Sequence, residues 1–186
     1  MWDLTVPKIS LAMLVDSLEN MPVYELPARY DWRYFRNGDV RAWAEIETSA
    51  GEFRRAEDGM ERFRVYYPSD EQLGDRMLFL TDGGVPFATA TAWYDDADAT
   101  IGRLHWVSVD EAHQGQGLSK ALVSLTMHRM RELGYASAYL TTQTMSWVAI
   151  KVYYQFGFRP YIRDEKEIAG WRIVSEKTGI DFMQYI

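Results

Sequence analysis

The sequence contains no cysteine among its 186 residues. Without thiols there is no disulfide framework, no thiolate metal ligand and no cysteine nucleophile. Long apolar segments are missing too: no run approaches the roughly 18 to 20 residues of a membrane span, and the first residues show no basic-then-apolar signal pattern. We therefore expect a cytoplasmic protein without a membrane partner.

Basic residues are also in short supply. Lysine and arginine number 20 against 27 aspartates and glutamates, which gives a formal net charge of −7. A general nucleic-acid binder needs a basic footprint, so this class is excluded, whereas a cationic amine ligand is compatible with the charge. The three histidines, His105, His113 and His128, are scattered without paired ligand spacing, and we predict no metal site. We expect the last two to lie at solvent-exposed positions.

The patterning of apolar and turn residues predicts one α/β domain of α+β type. Apolar residues between 8 and 21 are spaced as in an amphipathic helix, so residues 1–27 are expected to form an N-terminal helical extension and residues 28–186 the domain itself. Strands are predicted at 30–35, 77–81, 86–94, 101–109, 137–142, 158–163 and 181–186, and helices at 40–49, 56–67, 118–133, 146–156 and 164–177.

The segment 107–123 reads as a strand, a glycine-bearing turn and the first turns of a helix. A helix N-terminus has unpaired amides and a partial positive charge, and Gly115 and Gly117 would let an anion approach those amides closely. Taken alone, the pattern is equally typical of an ordinary strand-to-helix connection. It lacks the lysine of a phosphate-binding P-loop and the third glycine of a dinucleotide fingerprint, which argues against an ATP-binding domain.

A second motif lies downstream, on a short predicted helix that ends at Gly157. Together the two motifs, Gln114-x-x-Gly117-x-Ser119 and Ser146-x-x-Ala149-x-x-x-Tyr153-x-x-x-Gly157-Phe158, resemble the signatures of the GNAT acyltransferase superfamily. Ser119 replaces the usual glycine or alanine, and Ser146 the usual asparagine. The resemblance covers about residues 75–163.

The resemblance implies a mixed, mostly antiparallel sheet of about seven strands flanked by helices, with a cleft where residues 104–109 splay from residues 138–142. Acetyl-CoA or another acyl-CoA would lie in that cleft as cosubstrate, and the acetyl group would pass to a primary amine by direct attack. The implied cofactor-binding residues are Val107, Ser108, Val109, Gln114, Gly115, Gln116, Gly117, Leu118, Ser119, Thr141 and Ser146.

Two catalytic candidates follow from the resemblance and from residue chemistry. Tyr153 falls on the superfamily's general-acid position, where a phenol would protonate the departing thiolate, although spacing alone equally favours a core aromatic. His105 lies on the strand beside the thioester, on the face that alternation shares with Val107 and Val109, and titrates near neutral pH; a structural histidine is the competing interpretation.

The general base stays open at this point. Many relatives carry an acidic residue two positions before His105, where this chain has Arg103, which cannot accept a proton. Glu47 or Glu52, from the first helix and the loop after it, are alternatives. Ser146 has a competing role as a helix cap.

The acceptor is not determined by the sequence: a small amine, an amino acid, an antibiotic and a peptide or protein amine are all compatible. Tryptophans are candidates for an apolar pocket and, equally, for the core. A homodimer is a partner that analogy suggests. The alternative function is a non-catalytic acyl-CoA sensor acting on a partner through the helix expected at residues 8–21.

Overall fold

A seven-stranded sheet runs through the computed structural model, which describes residues 2–67, 69–95 and 98–186. The strands are β1 (Ser10–Val15), β2 (Tyr30–Tyr34), β3 (Met77–Asp82), β4 (Val85–Tyr94), β5 (Gly102–Val109), β6 (Ala138–Gln143) and β7 (Arg159–Pro160). The helices are α1 (Val40–Ser49), α2 (Ala56–Tyr66), α3 (Leu118–Glu132), α4 (Trp147–Gln155) and α5 (Glu165–Thr178).

The spatial order of the strands is β2-β3-β4-β5-β6-β1-β7. β5 and β6 are parallel, and the other neighbouring pairs are antiparallel. The predicted fold class, a mixed and mostly antiparallel sheet flanked by helices, is confirmed.

Helices cover both faces of the first half of the sheet. On β3, Met77 and Phe79 pack with Trp43 of α1 and Phe63 of α2, while Leu78 and Leu80 pack in the cluster of α3 residues on the other face. Alternate residues of a strand point to opposite faces, so a strand covered on both sides is apolar throughout. The helices α1 and α2 are thereby fixed over the strands that carry the cleft.

The helix predicted over residues 8–21 is wrong. Ser10–Val15 forms β1, which pairs with β6 on one side and with β7 on the other, and its apolar residues belong to the same core as α3, α4 and α5. A short apolar strand buried on both faces shows no alternation, and its pattern cannot be told from that of a buried helix. Residues 1–27 are therefore no helical extension, since their strand lies inside the sheet.

The strand predicted over residues 181–186 is also wrong, because Phe182–Tyr185 forms a 3₁₀ turn. The Asp181 carboxylate accepts a hydrogen bond from the amide of Met183, and Phe182 is buried against Trp171 of α5. The strand predicted over residues 158–163 shrinks to the two residues of β7. At this end of the sheet, β7 is the edge strand and pairs with β1.

Candidate functional site

A wedge-shaped cleft opens between β5 and β6. The two strands pair only at Gly102 with Ala138 and at Arg103 with Tyr139, and beyond this point they diverge. The cavity between them has a volume of about 590 Å³. The splay expected between residues 104–109 and residues 138–142 is thus present, and it leaves polar backbone of β5 on that side without a strand partner in β6.

The glycine turn at one end of the cleft has the backbone that an anion site needs. Gly115 and Gly117 both have positive φ angles, of 76° and 77°, and nothing lies within 4 Å of where a side chain would begin at either position. Gly117 is the N-cap of α3, whose first amides donate no hydrogen bond to a capping side chain. The open space and the free helix N-terminus fit a pyrophosphate.

Side chains on either side of these glycines hold the turn in place. The Gln114 amide donates a 2.8 Å hydrogen bond to the carbonyl of Val109, and the Tyr30 hydroxyl donates a 3.0 Å hydrogen bond to the Gln116 side chain. Gln114 therefore ties the loop back to the end of β5. Leu118 is buried at the start of α3, while Ser119, like the turn glycines, lines the cleft.

A bulge in β5 changes which side chains face the helices α1 and α2. Trp106 has a positive φ of 48°, and the pairing with β4 shifts so that Thr91 faces His105 while Thr89 faces Ser108. Thr89 and Thr91 lie on the same face of β4, so His105 shares its face with Ser108. The expectation that His105 shares its face with Val107 and Val109 is wrong, because the extra residue of the bulge interrupts the alternation.

Two acidic residues, Glu52 and Glu47, line the cleft; Glu52 is exposed, whereas Glu47 lies in the interior. Its side chain is fully buried, its Oε2 accepts a 2.6 Å hydrogen bond from Ser108 Oγ, and its Oε1 has no partner among the described residues. Burial raises the pKa of Glu47 to about 8, and the charge of nearby Glu52 adds to the increase while the Ser108 hydrogen bond opposes it. The sequence holds one signal for this role, an acidic residue beside Trp43 and Ile46 on the apolar side of α1.

His105 also lines the cleft, in a setting unlike that of a base. Its Nδ1 lies 3.2 Å from the Tyr67 hydroxyl, which in turn donates a 3.2 Å hydrogen bond to Thr91. Burial lowers the pKa of His105 to about 3, and the positive charge of Arg103 contributes to this lowering. The imidazole is neutral at pH 7 and has little tendency to take up a proton.

Tyr153 lies on α4 in the wall of the cleft and is buried. Burial raises the pKa of its hydroxyl well above the ordinary value, and the negative charges of Glu47 and Glu52 raise it further. The phenol therefore stays protonated and able to donate. The centres of the Tyr153 and Phe158 rings are 6.2 Å apart, so Tyr153 also packs in the core. Its neighbour Tyr154 contacts Phe182 and Tyr185 instead.

Polar side chains line the opposite wall of the cleft. Thr141 and Thr142 of β6 face it as expected, and so does Ser146. Ser146 stands at the N-cap position of α4 but makes no side-chain capping hydrogen bond. The competing interpretation of this serine as a helix cap is therefore not supported.

The remaining histidines and tryptophans depart in part from expectation. His113 is not exposed: it stacks on Phe87 at 4.0 Å and its Nδ1 lies 2.6 Å from Asp110. His128 is half-buried rather than exposed. Of the tryptophans, Trp2 and Trp106 line the cleft, while Trp43 and Trp171 belong to the core.

Within residues 2–67, 69–95 and 98–186, no group of three or more histidine, aspartate or glutamate side chains could hold a metal ion.

One cleft thus combines the uncapped N-terminus of α3 with a buried carboxyl group and a buried phenol, groups that fit the chemistry of an acyltransferase. The sequence model of the acetyltransferase (GNAT) family matches residues 40–158, and the chain belongs to this family.

Known proteins similar to this chain include the mycothiol acetyltransferase of Nocardia farcinica (strain IFM 10152), with 27% identity over 133 residues, covering 72% of this chain and 39% of that protein. N-acetyltransferase 8 of Rattus norvegicus is 32% identical over 71 residues, covering 38% of this chain and 32% of the relative. This chain therefore matches only about a third of the length of these relatives.

Among solved structures, a GCN5-related N-acetyltransferase from Sphaerobacter thermophilus superposes with a TM-score of 0.69 at 22% identity, covering 83% of this chain and 49% of that one. At this identity the likeness shows the fold. In the parts of the chain that the structure describes, no helix has the length and apolar character to cross a membrane.

Proposed function

We propose that this protein transfers an acetyl group from acetyl-CoA to a primary amine by direct attack of the amine. The observation that carries the proposal is the placement of Glu47 and Tyr153 in one cleft whose far end is the uncapped N-terminus of α3. Bound acetyl-CoA would supply an activated thioester, and the residues of the chain would supply positioning, a base and an acid.

The cofactor would be held along β5 and at the start of α3. The backbone of Val107, Ser108 and Val109 lies beyond the last pair of β5 with β6, and the amides from Gln114 to Ser119 would bind the pyrophosphate where space is open at the glycines. Thr141 and Ser146 line the opposite wall and would contact the cofactor arm. An amide near Val107 would polarise the thioester carbonyl, a type of contact worth about 3–4 kcal/mol in the transition state.

Glu47 is our proposed general base. An alkylamine is protonated at pH 7 and must lose a proton before it attacks, so a base with a pKa near the working pH is best suited. The pKa of about 8 meets this requirement, and Glu47 Oε1 has no partner among the described residues and is available for a proton, directly or through water. Ser108 would fix the orientation of the carboxyl group through Oε2.

Tyr153 is our proposed general acid, because its protonated hydroxyl lies in the wall where the sulfur of CoA would leave. We assign His105 a positioning role instead of the base role that the sequence suggested. With a pKa of about 3, the His105 ring is neutral, and its contact with the Tyr67 hydroxyl would hold neighbouring side chains of the cleft in place.

The experiment that tests the cofactor site is calorimetric titration of acetyl-CoA into the wild type and Gly117→Glu. The glutamate would place bulk and negative charge in the open space at the α3 N-terminus. We expect the variant to lose affinity by a factor of 100 or more. A suitable control is Gly134→Glu, beyond the other end of α3, whose 15 residues span about 22 Å at 1.5 Å per residue; it has a similar positive φ of 91° and equally open surroundings.

Release of free CoA in the presence of an amine panel then separates enzyme from sensor. Binding with turnover supports the proposal. Tight binding without turnover would support the non-catalytic acyl-CoA-binding module instead, and equal affinity of wild type and Gly117→Glu would contradict the cofactor site itself. The buried carboxyl group of Glu47 favours the enzyme, since a sensor has no need of a base in the cleft.

A further inference from the structure

Arg103 is a cation in the cleft that the acetyl transfer described above does not use. It lies on β5 at the point where β5 and β6 separate, and its side chain lines the cleft. Its Nε is buried without a hydrogen-bond partner, and the guanidinium makes no ion pair, as far as residues 2–67, 69–95 and 98–186 are concerned. Arg103 as a whole is half-buried, and its buried Nε is a donor that an anion in the cleft would satisfy.

The neighbours of Arg103 locate its charge near the catalytic groups. The guanidinium lies 5.6 Å from the ring centre of Tyr139, which gives it one favourable contact and leaves its donors uncommitted. Its charge acts on His105 and on Tyr67, lowering the pKa that each would otherwise have. Arg103 and His105 lie opposite Trp93 and Thr91 of β4, on one face of β5, and both line the cleft.

The phosphates of the cofactor are too far away to be the missing anion. Six residues of β5 separate Arg103 from Val109, where the glycine loop follows, and at about 3.3 Å per residue this is close to 20 Å. His105, by contrast, is two residues from Arg103 on the same face of β5 and lines the same cleft. The anion that Arg103 would bind is thus on the acceptor's side of the reaction.

The rest of the cleft suits a ligand with both charges. Glu47 and Glu52 provide carboxyl groups for an amine, and Arg103 provides the single arginine among the lining residues that the structure describes. Tyr66 and Trp106, with ring centres 5.3 Å apart, form an apolar wall between such charged ends. A purely cationic acceptor would leave Arg103 unmatched and would be repelled by it.

We propose that Arg103 binds a carboxylate of the acceptor, so that the substrates are amines that also carry a carboxylate, such as amino acids or short peptides. The inference rests on the proposed function. The planar guanidinium presents its donors as a fork that matches a carboxylate in bidentate geometry, which an ammonium does not. About 16 Å of β5 lies between Arg103 and Ser108, so the distance between amine and carboxylate is a variable that the test includes.

The test is acetyl transfer to matched pairs of acceptors by wild type, Arg103→Gln and Arg103→Lys. Each pair consists of an amino acid and its neutral carboxamide: phenylalanine, β-alanine, 4-aminobutyrate, 6-aminohexanoate and the dipeptide Gly-Phe. For at least one pair we expect wild-type kcat/KM to be ten or more times higher for the acid. Arg103→Gln should raise KM for that acid at least tenfold, should leave KM for its carboxamide equal or lower, and should thereby abolish the preference. Arg103→Lys should keep part of it.

Arg172→Gln, at an exposed position of α5, is the matched control and should behave as wild type. Melting temperatures of all variants report whether the fold is kept; if Arg103→Gln is unfolded, the comparison of Arg103→Lys with wild type decides. A wild type that prefers the carboxamides, or a preference that Arg103→Gln leaves intact, would overturn the inference.

Calorimetry keeps this result separate from the proposed function. The same acids and carboxamides are titrated into wild type and Arg103→Gln saturated with CoA. If acids bind the wild type and not the variant while no acetyl is transferred, the carboxylate site stands and the proposed function fails. If acetyl-CoA and simple amines react but no acid binds or reacts better than its carboxamide, the proposed function stands and the carboxylate site fails.

Discussion

At the scale of single residues, Glu47 combines a buried position with a proton equilibrium near neutrality. A carboxyl group with no access to water would be a liability in a purely structural role, because an unpaired buried acceptor reduces the free energy of unfolding. Ser108 satisfies one oxygen and leaves the other to face the cleft. This arrangement makes Glu47 the residue whose substitution tests the chemistry most directly.

We expect Glu47→Gln to lower kcat about 100-fold or more while acetyl-CoA affinity changes little, because a positioned base contributes a factor of roughly 10²–10⁴ to a rate.

The active form of Glu47 is the carboxylate, so wild-type kcat/KM should rise with pH through about 8 and then level off. Deprotonation of the amine substrate affects the pH profiles of kcat/KM of wild type and Glu47→Gln alike. The ratio of the two profiles therefore reports the titration of Glu47 alone. Glu45→Gln, at an exposed position on the same helix, is the control. Equal rates for Glu47→Gln and wild type would eliminate Glu47 as the base.

Tyr153→Phe removes one hydroxyl and keeps the ring that contacts Phe158. We expect kcat to fall by about 100-fold, with calorimetry showing nearly unchanged binding of acetyl-CoA, because the phenol acts on the leaving thiolate. Tyr154→Phe, one residue along the chain and pointing toward Tyr185, should retain its rate. If both variants lose activity equally, Tyr153 has no special role as an acid.

At the scale of elements, the sequence predicts most of what surrounds the cleft. The two glycine-bearing motifs identified the loop before α3 and the wall formed by α4, and the resemblance they carried implied the splay. The bulge at Trp106 could not be predicted, because a positive φ at tryptophan leaves no mark in the sequence. For that reason His105 was placed on the wrong face and Ser108 was not connected with Glu47.

The strand β1 was not predicted, for a different reason. Its residues from Leu11 to Val15 are apolar on both faces, and the periodicity that separates strand from helix vanishes when both faces are buried. Its place between β6 and β7 is decided by pairing with residues far along the chain. A local pattern contains no information on such partners.

Gly170 offers a test of how α5 packs on β1. A side chain at this position would begin 2.8 Å from Leu11 Cδ2 and 3.1 Å from Ile9 Cγ2. Alanine normally stabilises a helix interior relative to glycine by roughly 0.5–1 kcal/mol. Here we expect Gly170→Ala to lower the free energy of unfolding by about 1–3 kcal/mol, the range for overpacked cores.

Urea denaturation measures this change, and Leu11→Ala provides the control background. Once Leu11 is shortened, Gly170→Ala should cost much less, so the two substitutions should show a coupling free energy. A stabilising Gly170→Ala, or strict additivity with Leu11→Ala, would mean that α5 and β1 are not in close contact.

At the scale of the whole molecule, two buried groups influence how stability depends on pH. Glu47 has a raised pKa, of about 8 against a reference of 4.5, so the folded state holds a proton between these values that the unfolded state lacks, and stability falls as pH rises through this window. His105 has a lowered pKa, of about 3 against 6.5, so stability rises with pH through that window.

The two effects oppose each other between pH 4.5 and 6.5, the range where the windows overlap. From these groups we expect stability to rise from pH 3 to 4.5, to vary little up to 6.5 and to decline toward 8, each group contributing at most about 1.4 kcal/mol per pH unit. Urea denaturation across this range checks the profile. Glu47→Gln should remove the decline above pH 6.5, and Glu45→Gln should not; a decline that persists in Glu47→Gln would contradict the raised pKa.

The position of β1 also affects how the chain reaches its fold. Ser10 pairs with Gln143 and Met13 with Pro160, so β1 is synthesised long before the strands that it pairs with. At about 5–20 residues per second, this apolar segment, which ends up between β6 and β7, waits roughly 8 to 30 s on the ribosome without a partner. Closure of such distant contacts is slow, since the entropy of the intervening loop must be lost first. The fold that builds the cleft therefore leaves β1 unpaired during synthesis, and the nascent chain depends on β1 being kept from aggregation until β6 and β7 have been made.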